Sequence, residues 1–287
     1  MRYCLKDKHV LVTGAASGIG KELAALCAQE GARVILHDRP VNQPTLEIQA
    51  AELQARYGVA PRVVVQDLSA ENAAQELYAK VALLTPALDV LINNAGVISY
   101  GNFHQDDLAR INLIVKVNAL ATMNLMRVFL PDMVKRKSGR ILNISSTGAF
   151  QPNVYQAVYG ASKAFMQSIS EAVREELRGT GVLVCTLNPP YTNTPLIKNE
   201  SYPSKLWWFY FSRVAEPAAI ARHGLHCLKK GKILHVPGIW NRIVHLFLVR
   251  LTPRRLLNFT CALINRPVKA PLSLPGPTDQ NPRRTLP

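Results

Sequence analysis

The sequence predicts an α/β fold: a doubly wound parallel sheet in a single domain, followed by a C-terminal helical extension. Three observations predict it. Short β-branched or aliphatic runs alternate with stretches of helical period, which implies right-handed βαβ crossovers and a parallel sheet covered on both faces. The chain has 287 residues, 48% hydrophobic and 18% charged, which suits one large folded domain and excludes a disordered one. A glycine-rich turn directly follows the first apolar run, where a strand would pass into a helix.

Taken in order, strand-like runs occur at 9–13, 33–37, 62–65, 90–92, 140–144 and 183–187. Helical-period stretches lie between them at 19–29, 46–56, 73–84, 108–135 and 157–177. A further helix is predicted at 217–228 and a seventh strand at 233–236. In such a sheet, ligands bind outside the carboxyl ends of the strands near the switch point. The expected domain covers 5–238, with a substrate loop or lid at about 190–215. A basic amphipathic extension at 239–266 follows, and the Pro-rich, polar tail 267–287 is expected to be disordered.

The net charge of +15 is unevenly placed. Residues 1–197 hold 19 Lys and Arg against 16 Asp and Glu, whereas residues 198–287 hold 15 against 3. The basic C-terminal third suggests an anionic surface or ligand. Nucleic acid is not expected, because no recognisable nucleic-acid module accompanies the charge. Cys4, Cys27, Cys185, Cys227 and Cys261 are scattered and never form a Cys-x-x-Cys pair. Reduced thiols in a cytoplasmic setting are expected, with no metal site. The first strand starts too early to leave room for a signal peptide, so none is expected.

Residues 13–20 read Thr-Gly-Ala-Ala-Ser-Gly-Ile-Gly. Glycines in a strand-to-helix turn let a diphosphate approach the backbone, and the helix N-terminus supplies unpaired N–H groups and a positive dipole end. Gly14, Ser17, Gly18, Ile19 and Gly20 are therefore candidate cofactor residues of a Rossmann-type site. Asp38 follows Gly20 by 18 residues, where a carboxylate accepts from an adenosine ribose and repels a 2′-phosphate. That favours NAD. Arg39 next door, assisted by Lys21, would instead pair with a 2′-phosphate and leave NADP open. Further on, Tyr159 and Lys163 stand four residues apart on a predicted helix and so share a face. A cation there is expected to hold the phenol below its free value of about 10 and fit it for proton transfer to a substrate oxygen.

In this order the motifs resemble those of the short-chain dehydrogenase/reductase family, from about residue 5 to 196. Asp67 and Leu68 fall where that family brackets the adenine ring. Asn94, Ala95 and Gly96, after Asn93, match an element that supports the sheet and cofactor. Asn118 lies in the long helix where the family keeps a catalytic asparagine. Ser146 stands 13 residues before Tyr159, the family's spacing, and so is favoured over Ser145. The resemblance implies hydride transfer between a nicotinamide and a secondary alcohol or ketone. Tyr159 would be the general acid or base, Ser146 would donate to the substrate oxygen, and Lys163 would lower the tyrosine pKa and hold the nicotinamide ribose. Asn118 would hold a water linking Lys163 to solvent. Family helices matching 108–135 and 157–177 build a dimer interface, so a homodimer or homotetramer is expected.

One departure is Asn188-Pro189-Pro190, with proline where the family has glycine, which reshapes the loop beside the nicotinamide. Pro189 and Thr194 remain candidate cofactor contacts, Thr194 standing where the family's threonine reaches the carboxamide. The Pro-Pro resembles reductases of long-chain 3-keto sphingoid bases, which usually prefer NADPH and so conflict with Asp38. The aromatic run at 207–211 suggests an apolar substrate such as a 3-oxoacyl chain, steroid or polyketide-like molecule; packing as a lid or at a subunit contact is the alternative. The leucine-rich, arginine-flanked stretch 240–257 is interrupted too often to span a membrane. It suits a helix on an anionic membrane surface, a cover over the cleft, or an oligomer contact. A dinucleotide-binding scaffold or redox sensor without turnover is the rival reading, and the presence of Asn118, Ser146, Tyr159 and Lys163 together argues against it.

Overall fold

The computed structural model describes residues 3–198, 202–203, 206–211 and 214–268. Its seven strands are β1 (His9–Thr13), β2 (Arg33–Asp38), β3 (Arg62–Val65), β4 (Val90–Asn93), β5 (Gly139–Ile144), β6 (Val182–Leu187) and β7 (Leu234–His235). They pair in parallel in the order β3-β2-β1-β4-β5-β6-β7. Winding reverses between β1 and β4, and their carboxyl ends diverge there into a crevice. Two strands run one residue past the expected limits, so Asp38 closes β2 and Asn93 closes β4.

The helices are α1 (Gly18–Gln29), α2 (Gln43–Tyr57), α3 (Ala73–Leu84), α4 (Leu108–Lys135), α5 (Ala157–Glu176), α6 (Trp208–Phe211) and α7 (Pro217–Lys230). α2 begins earlier than its apolar pattern, because Pro44 sits in the first turn, where its missing N–H costs nothing. Strand side chains alternate faces. Val10, Val12, Leu36 and Ile92 thus join α1, α2 and α7 in one core, while Leu11, Ile35, Leu91 and Ile141 join α3 and α4 in the other. α4 has the length and hydropathy of a membrane span, yet Leu125, Met126, Phe129 and Met133 bury one face of it in that second core. A π-helical turn, Val115–Leu120, interrupts it at Asn118.

The extension forms α8 (239–251) and α9 (Arg254–Ile264), separated by Thr252 and Pro253. α8 contains a π segment, Val244–Leu248. His245 and Val249 of α8 and Leu257 and Cys261 of α9 turn inward, and the apolar members pack on Phe150 and Val154. The chain then returns to the loop before α6, where Pro267 bridges Leu206 and Trp207 donates its backbone N–H to Arg266. Residues 269–287, most of the expected tail, lie outside the described residues, as do 199–201, 204–205 and 212–213 of the expected lid.

Candidate active site

A cavity of about 920 Å³ opens at the carboxyl ends of the strands and brings nearly all the expected site residues together. Gly14, Ser17, Gly18 and Ile19 line it beside Asp38, Asp67 and Leu68. Asn94, Ala95 and Gly96 form its floor at the end of β4, and Ser146, Tyr159 and Lys163 stand further along with Pro189 and Thr194. Gly20, Lys21 and Asn118 do not line it.

The glycine loop is held by the neighbouring strand. The Thr13 hydroxyl donates to Ile92 O and accepts the backbone N–H of Asn94 and Ala95. The Asn94 amide donates to Thr13 O and Gly14 O at 3.0 and 3.1 Å. Gly20 is needed for this packing: a Cβ there would stand 2.2 Å from Gly14 O and 2.4 Å from the Asn94 amide. Gly18, at φ +55°, faces Thr194, whose Cγ2 would lie 3.0 Å from an added Cβ. Ser17 holds the cap position of α1 but makes no side-chain cap, so its hydroxyl is available to a ligand in the cavity. Bare glycine backbone, an uncommitted cap hydroxyl and a helix N-terminus fit a dinucleotide diphosphate.

Asp38 is engaged on both oxygens. Oδ2 accepts from Ala16 N at 3.1 Å, and Oδ1 from Arg39 N and the Asn42 amide at 2.9 and 2.8 Å. The carboxylate is therefore fixed at the cavity edge, with lone-pair capacity left for ribose hydroxyls. Arg39 also lines the cavity, whereas Lys21 is exposed on α1 away from it, so only Arg39 keeps the contrary role. Asp67 accepts from the Ser69 N–H and hydroxyl at 2.8 and 2.7 Å, bonds that hold its carboxyl below the usual range.

At the other end, Ser145 and Ser146 separate as their alternation requires. The Ser145 hydroxyl donates inward to Lys163 O at 2.9 Å. Ser146 Oγ accepts from Gly148 N at 3.0 Å, and a hydrogen bond joins it to Tyr159. Lys163 Nζ donates to Ile144 O at 2.8 Å and lies 5.7 Å from the Tyr159 ring centroid. Burial pushes its pKa down to about 8. The Tyr159 phenol departs from expectation: burial pushes it up to about 12, and the opposing pull comes from the Ser146 hydrogen bond rather than from Lys163. The ammonium is itself desolvated and is directed at a backbone carbonyl, so it does not lower the phenol.

Asn118 is fully buried at the π turn. Its Oδ1 accepts from Val97 N at 2.9 Å, and its amide donates to Val97 O and the Ser162 hydroxyl at 2.9 and 3.0 Å. Only Gly96 separates it from Lys163: an added Cβ would lie 3.3 Å from Asn118 Oδ1 and 3.6 Å from Lys163 Nζ.

Sequence reasoning missed most of the substrate end. Gln156 donates to both Tyr191 and Tyr202 hydroxyls at 3.1 and 3.0 Å, and Tyr191 in turn donates to Asn265 Oδ1 at 3.1 Å. Gln156, Tyr191, Trp208, His245 and Asn265 all line the cavity. The extension is therefore a wall of the site. Of the aromatic run, Trp208 and Phe209 join an apolar cluster with Tyr159, Ile98 and Leu206, while Trp207 and Tyr210 are exposed. His245 interrupting an apolar helical stretch was the one available signal, and by itself it reads only as a break in hydrophobicity.

A short chain dehydrogenase family pattern matches residues 8–204, and the chain belongs to that family of oxidoreductases. It is 28% identical over 240 residues to an uncharacterized oxidoreductase of Staphylococcus saprophyticus, covering 84% of this chain and 99% of the relative. It is 34% identical to a very-long-chain 3-oxoacyl-CoA reductase of Bos taurus, over 66% of this chain and 60% of that one. It is also 29% identical to the inactive hydroxysteroid dehydrogenase-like protein 1 of Homo sapiens, over 91% and 77%. Among solved structures, a short-chain dehydrogenase from Sphingobium yanoikuyae in complex with NADPH aligns with TM-score 0.75 at 26% identity, covering 86% and 97% of the two chains. A 3-ketoacyl-(acyl-carrier-protein) reductase from Brucella melitensis complexed with NADH aligns with TM-score 0.71 at 28% identity, covering 81% and 96%. A nicotinamide dinucleotide is thus the cofactor class of this fold.

Proposed function

We propose that the protein transfers a hydride between a nicotinamide dinucleotide, NAD in preference to NADP, and a secondary alcohol or its ketone on an apolar substrate. The observation that carries this reading is the placing of Ser146, Tyr159 and Lys163 in one cavity with the glycine loop. The bound dinucleotide supplies the hydride. Gly14, Ser17, Gly18 and Ile19 would hold its phosphates, and Asp38 its adenosine ribose. Asp67 and Leu68 would flank the adenine, Asn94, Ala95 and Gly96 would support it from the end of β4, and Pro189 and Thr194 would sit by the carboxamide. Tyr159 is protonated at neutral pH because its pKa is held at about 12, the form a general acid needs in ketone reduction. Its hydroxyl gives a proton to the substrate oxygen while Ser146 donates a second hydrogen bond to the same atom, stabilising the charge that builds there. Lys163, charged below about 8, would hold the nicotinamide ribose, and Asn118 would hold a water that links it to solvent.

Titration with NADH and NADPH, followed by a ketone panel sorted by chain length and polarity, tests this. Tighter NADH binding and oxidation driven by an apolar ketone are expected. Cofactor binding without turnover of any ketone would leave a dinucleotide-binding scaffold, and the human relative is named as inactive.

A second property is favoured by the outer face of the extension. Trp240, Phe247, Leu251 and Phe259 are exposed there beside exposed Arg242, Arg250, Arg254 and Arg255, and residues 217–268 contain no Asp or Glu. This combination suits peripheral attachment to an anionic bilayer. Because the extension also walls the cavity, deletion would confound the test. Leu251→Glu, which changes only the outer face, should weaken sedimentation with anionic vesicles; unchanged sedimentation would sink the idea. Exposed Leu108 and Leu120 on α4 and Phe165 on α5 support the expected pairing of two copies, which light scattering tests.

A further inference from the structure

Ser146 and Tyr159 have to reach one substrate oxygen, yet they sit on different elements. Ser146 follows the end of β5, and Tyr159 lies in the first turn of α5. One side chain in the loop between them packs on both carriers. The Asn153 amide donates to Gly148 O at 2.7 Å, and Gly148 N donates to Ser146 Oγ at 3.0 Å. The same amide lies against Gly160, the residue after Tyr159: a Cβ there would stand 2.2 Å from Asn153 Nδ2 and 2.9 Å from Asn153 Cβ. A Cβ on Gly148 would stand 2.6 Å from that nitrogen. Asn153 thus fills space that two glycines leave open, one near each reacting group. It lines the cavity with Ser146, Gly148 and Tyr159.

The backbone around Asn153 is held in an uncommon shape. Asn153 O accepts from Gln156 N at 3.0 Å, closing a turn in which Tyr155 has φ +67°. A bulky residue rarely takes this left-handed conformation, which persists where the surroundings enforce it and gathers at functional sites. Here Tyr155 O accepts from Gly101 N at 2.8 Å, and its ring lies 5.6 Å from that of Tyr100. Gly148 O can only accept, so the NH2 end of the Asn153 amide is the end that faces it. The Ser146 hydroxyl has one hydrogen and two lone pairs. With one lone pair taken by Gly148 N, its hydrogen remains for an oxygen beside Tyr159. Misplacing such a group by about 1 Å can cost about a hundredfold in rate.

We propose that Asn153 is a positioning residue: its amide fixes Gly148, and through it the Ser146 hydroxyl, at the spacing from Tyr159 that lets both meet one substrate oxygen. The role rests on the hydride-transfer reading for the use made of that pair. Asn153 acts through Ser146 and not on the substrate itself.

A double-mutant cycle with Ser146 tests this. The full-length protein, Asn153→Ala, Ser146→Ala and the double variant are compared on straight-chain methyl ketones of graded length and on cyclic ketones. Asn153→Ala alone should lower kcat about tenfold or more while dinucleotide affinity stays within about twofold. On Ser146→Ala the same change should cost under about twofold, because no hydroxyl is left to position. Binding of the same ketones with oxidised dinucleotide, where no hydride can pass, repeats the cycle without turnover. There Asn153→Ala should weaken the ketone about threefold or more only when Ser146 is present. An equal loss in both backgrounds would make Asn153 a packing residue and overturn the proposal. So would unchanged kcat and binding, or a loss of dinucleotide affinity as large as the loss of kcat. Coupling in binding without turnover overturns hydride transfer and keeps the positioning role; turnover without coupling does the reverse. Ketones that neither bind nor react overturn both.

Discussion

The two ends of the cavity are built in opposite ways. At the cofactor end polar groups satisfy one another: Thr13, Asn94, Asp38 and Asp67 each direct side-chain bonds at nearby backbone, and glycines clear the space between. At the substrate end Trp208 and His245 are left unpaired, and the wall is borrowed from helices that follow the last strand. The first end is held together by its own hydrogen bonds. In the second, these groups have no such bond. A cofactor cradle built from bonds between neighbouring strands is fixed by the sheet, whereas a wall assembled from later helices can differ without disturbing it.

The largest effect that would sharpen this contrast is at the reacting centre. Tyr159→Phe removes the proton donor and should lower kcat by about a thousandfold or more while leaving dinucleotide affinity nearly unchanged. Turnover retained would break the acid/base assignment. Gly20→Ala strikes the cradle, since the new Cβ meets the backbone at Gly14 O. A loss of about 1–3 kcal/mol in denaturant unfolding is expected, against under about 0.5 kcal/mol for Leu251→Ala on the outer face. Equal losses at the two sites would erase the distinction between cradle and surface.

Protonation joins the two ends at Lys163. Its folded pKa is depressed to about 8, so the ammonium is present below that pH and lost above it. The kcat/KM for the dinucleotide, which reports the free enzyme, should therefore be level below about pH 8 and fall about tenfold per unit above it. Lys163→Arg, charged throughout, should remove the break; a break that persists belongs to another group. At the cofactor site itself the smallest expected effect is at Asp38. Asp38→Ala should shift the ratio of NADH to NADPH efficiency by about tenfold towards NADPH. A starting protein that already prefers NADPH would assign the choice to Arg39.

The same contrast explains what the sequence made legible. The strands alternate within a few residues of their observed limits because a two-sided parallel sheet imposes long aliphatic runs. Gly14, Gly18 and Gly20 were readable because steric exclusion leaves glycine alone at those positions. Ser146, Tyr159 and Lys163 were readable through fixed spacing on one strand end and one helix. Tyr159 shows where such reading stops. Spacing placed Lys163 beside it, yet the phenol's acidity depends on desolvation and on where the ammonium points, neither of which a sequence carries. His245 and Asn265 were invisible for another reason: the contacts with Trp208, Tyr100 and Tyr191 that give them meaning join residues far apart in the chain.

The return of the chain at Pro267 to Leu206 has a consequence for how the protein is made. Synthesis runs from the N-terminus, and domains begin to fold as they emerge. The glycine loop and β4 can assemble, and a dinucleotide can seat, while the helices that close the substrate pocket are still unmade. The nascent protein would therefore acquire its cofactor cradle first and its selectivity last, so the earliest dinucleotide to arrive meets an open bowl rather than a finished pocket.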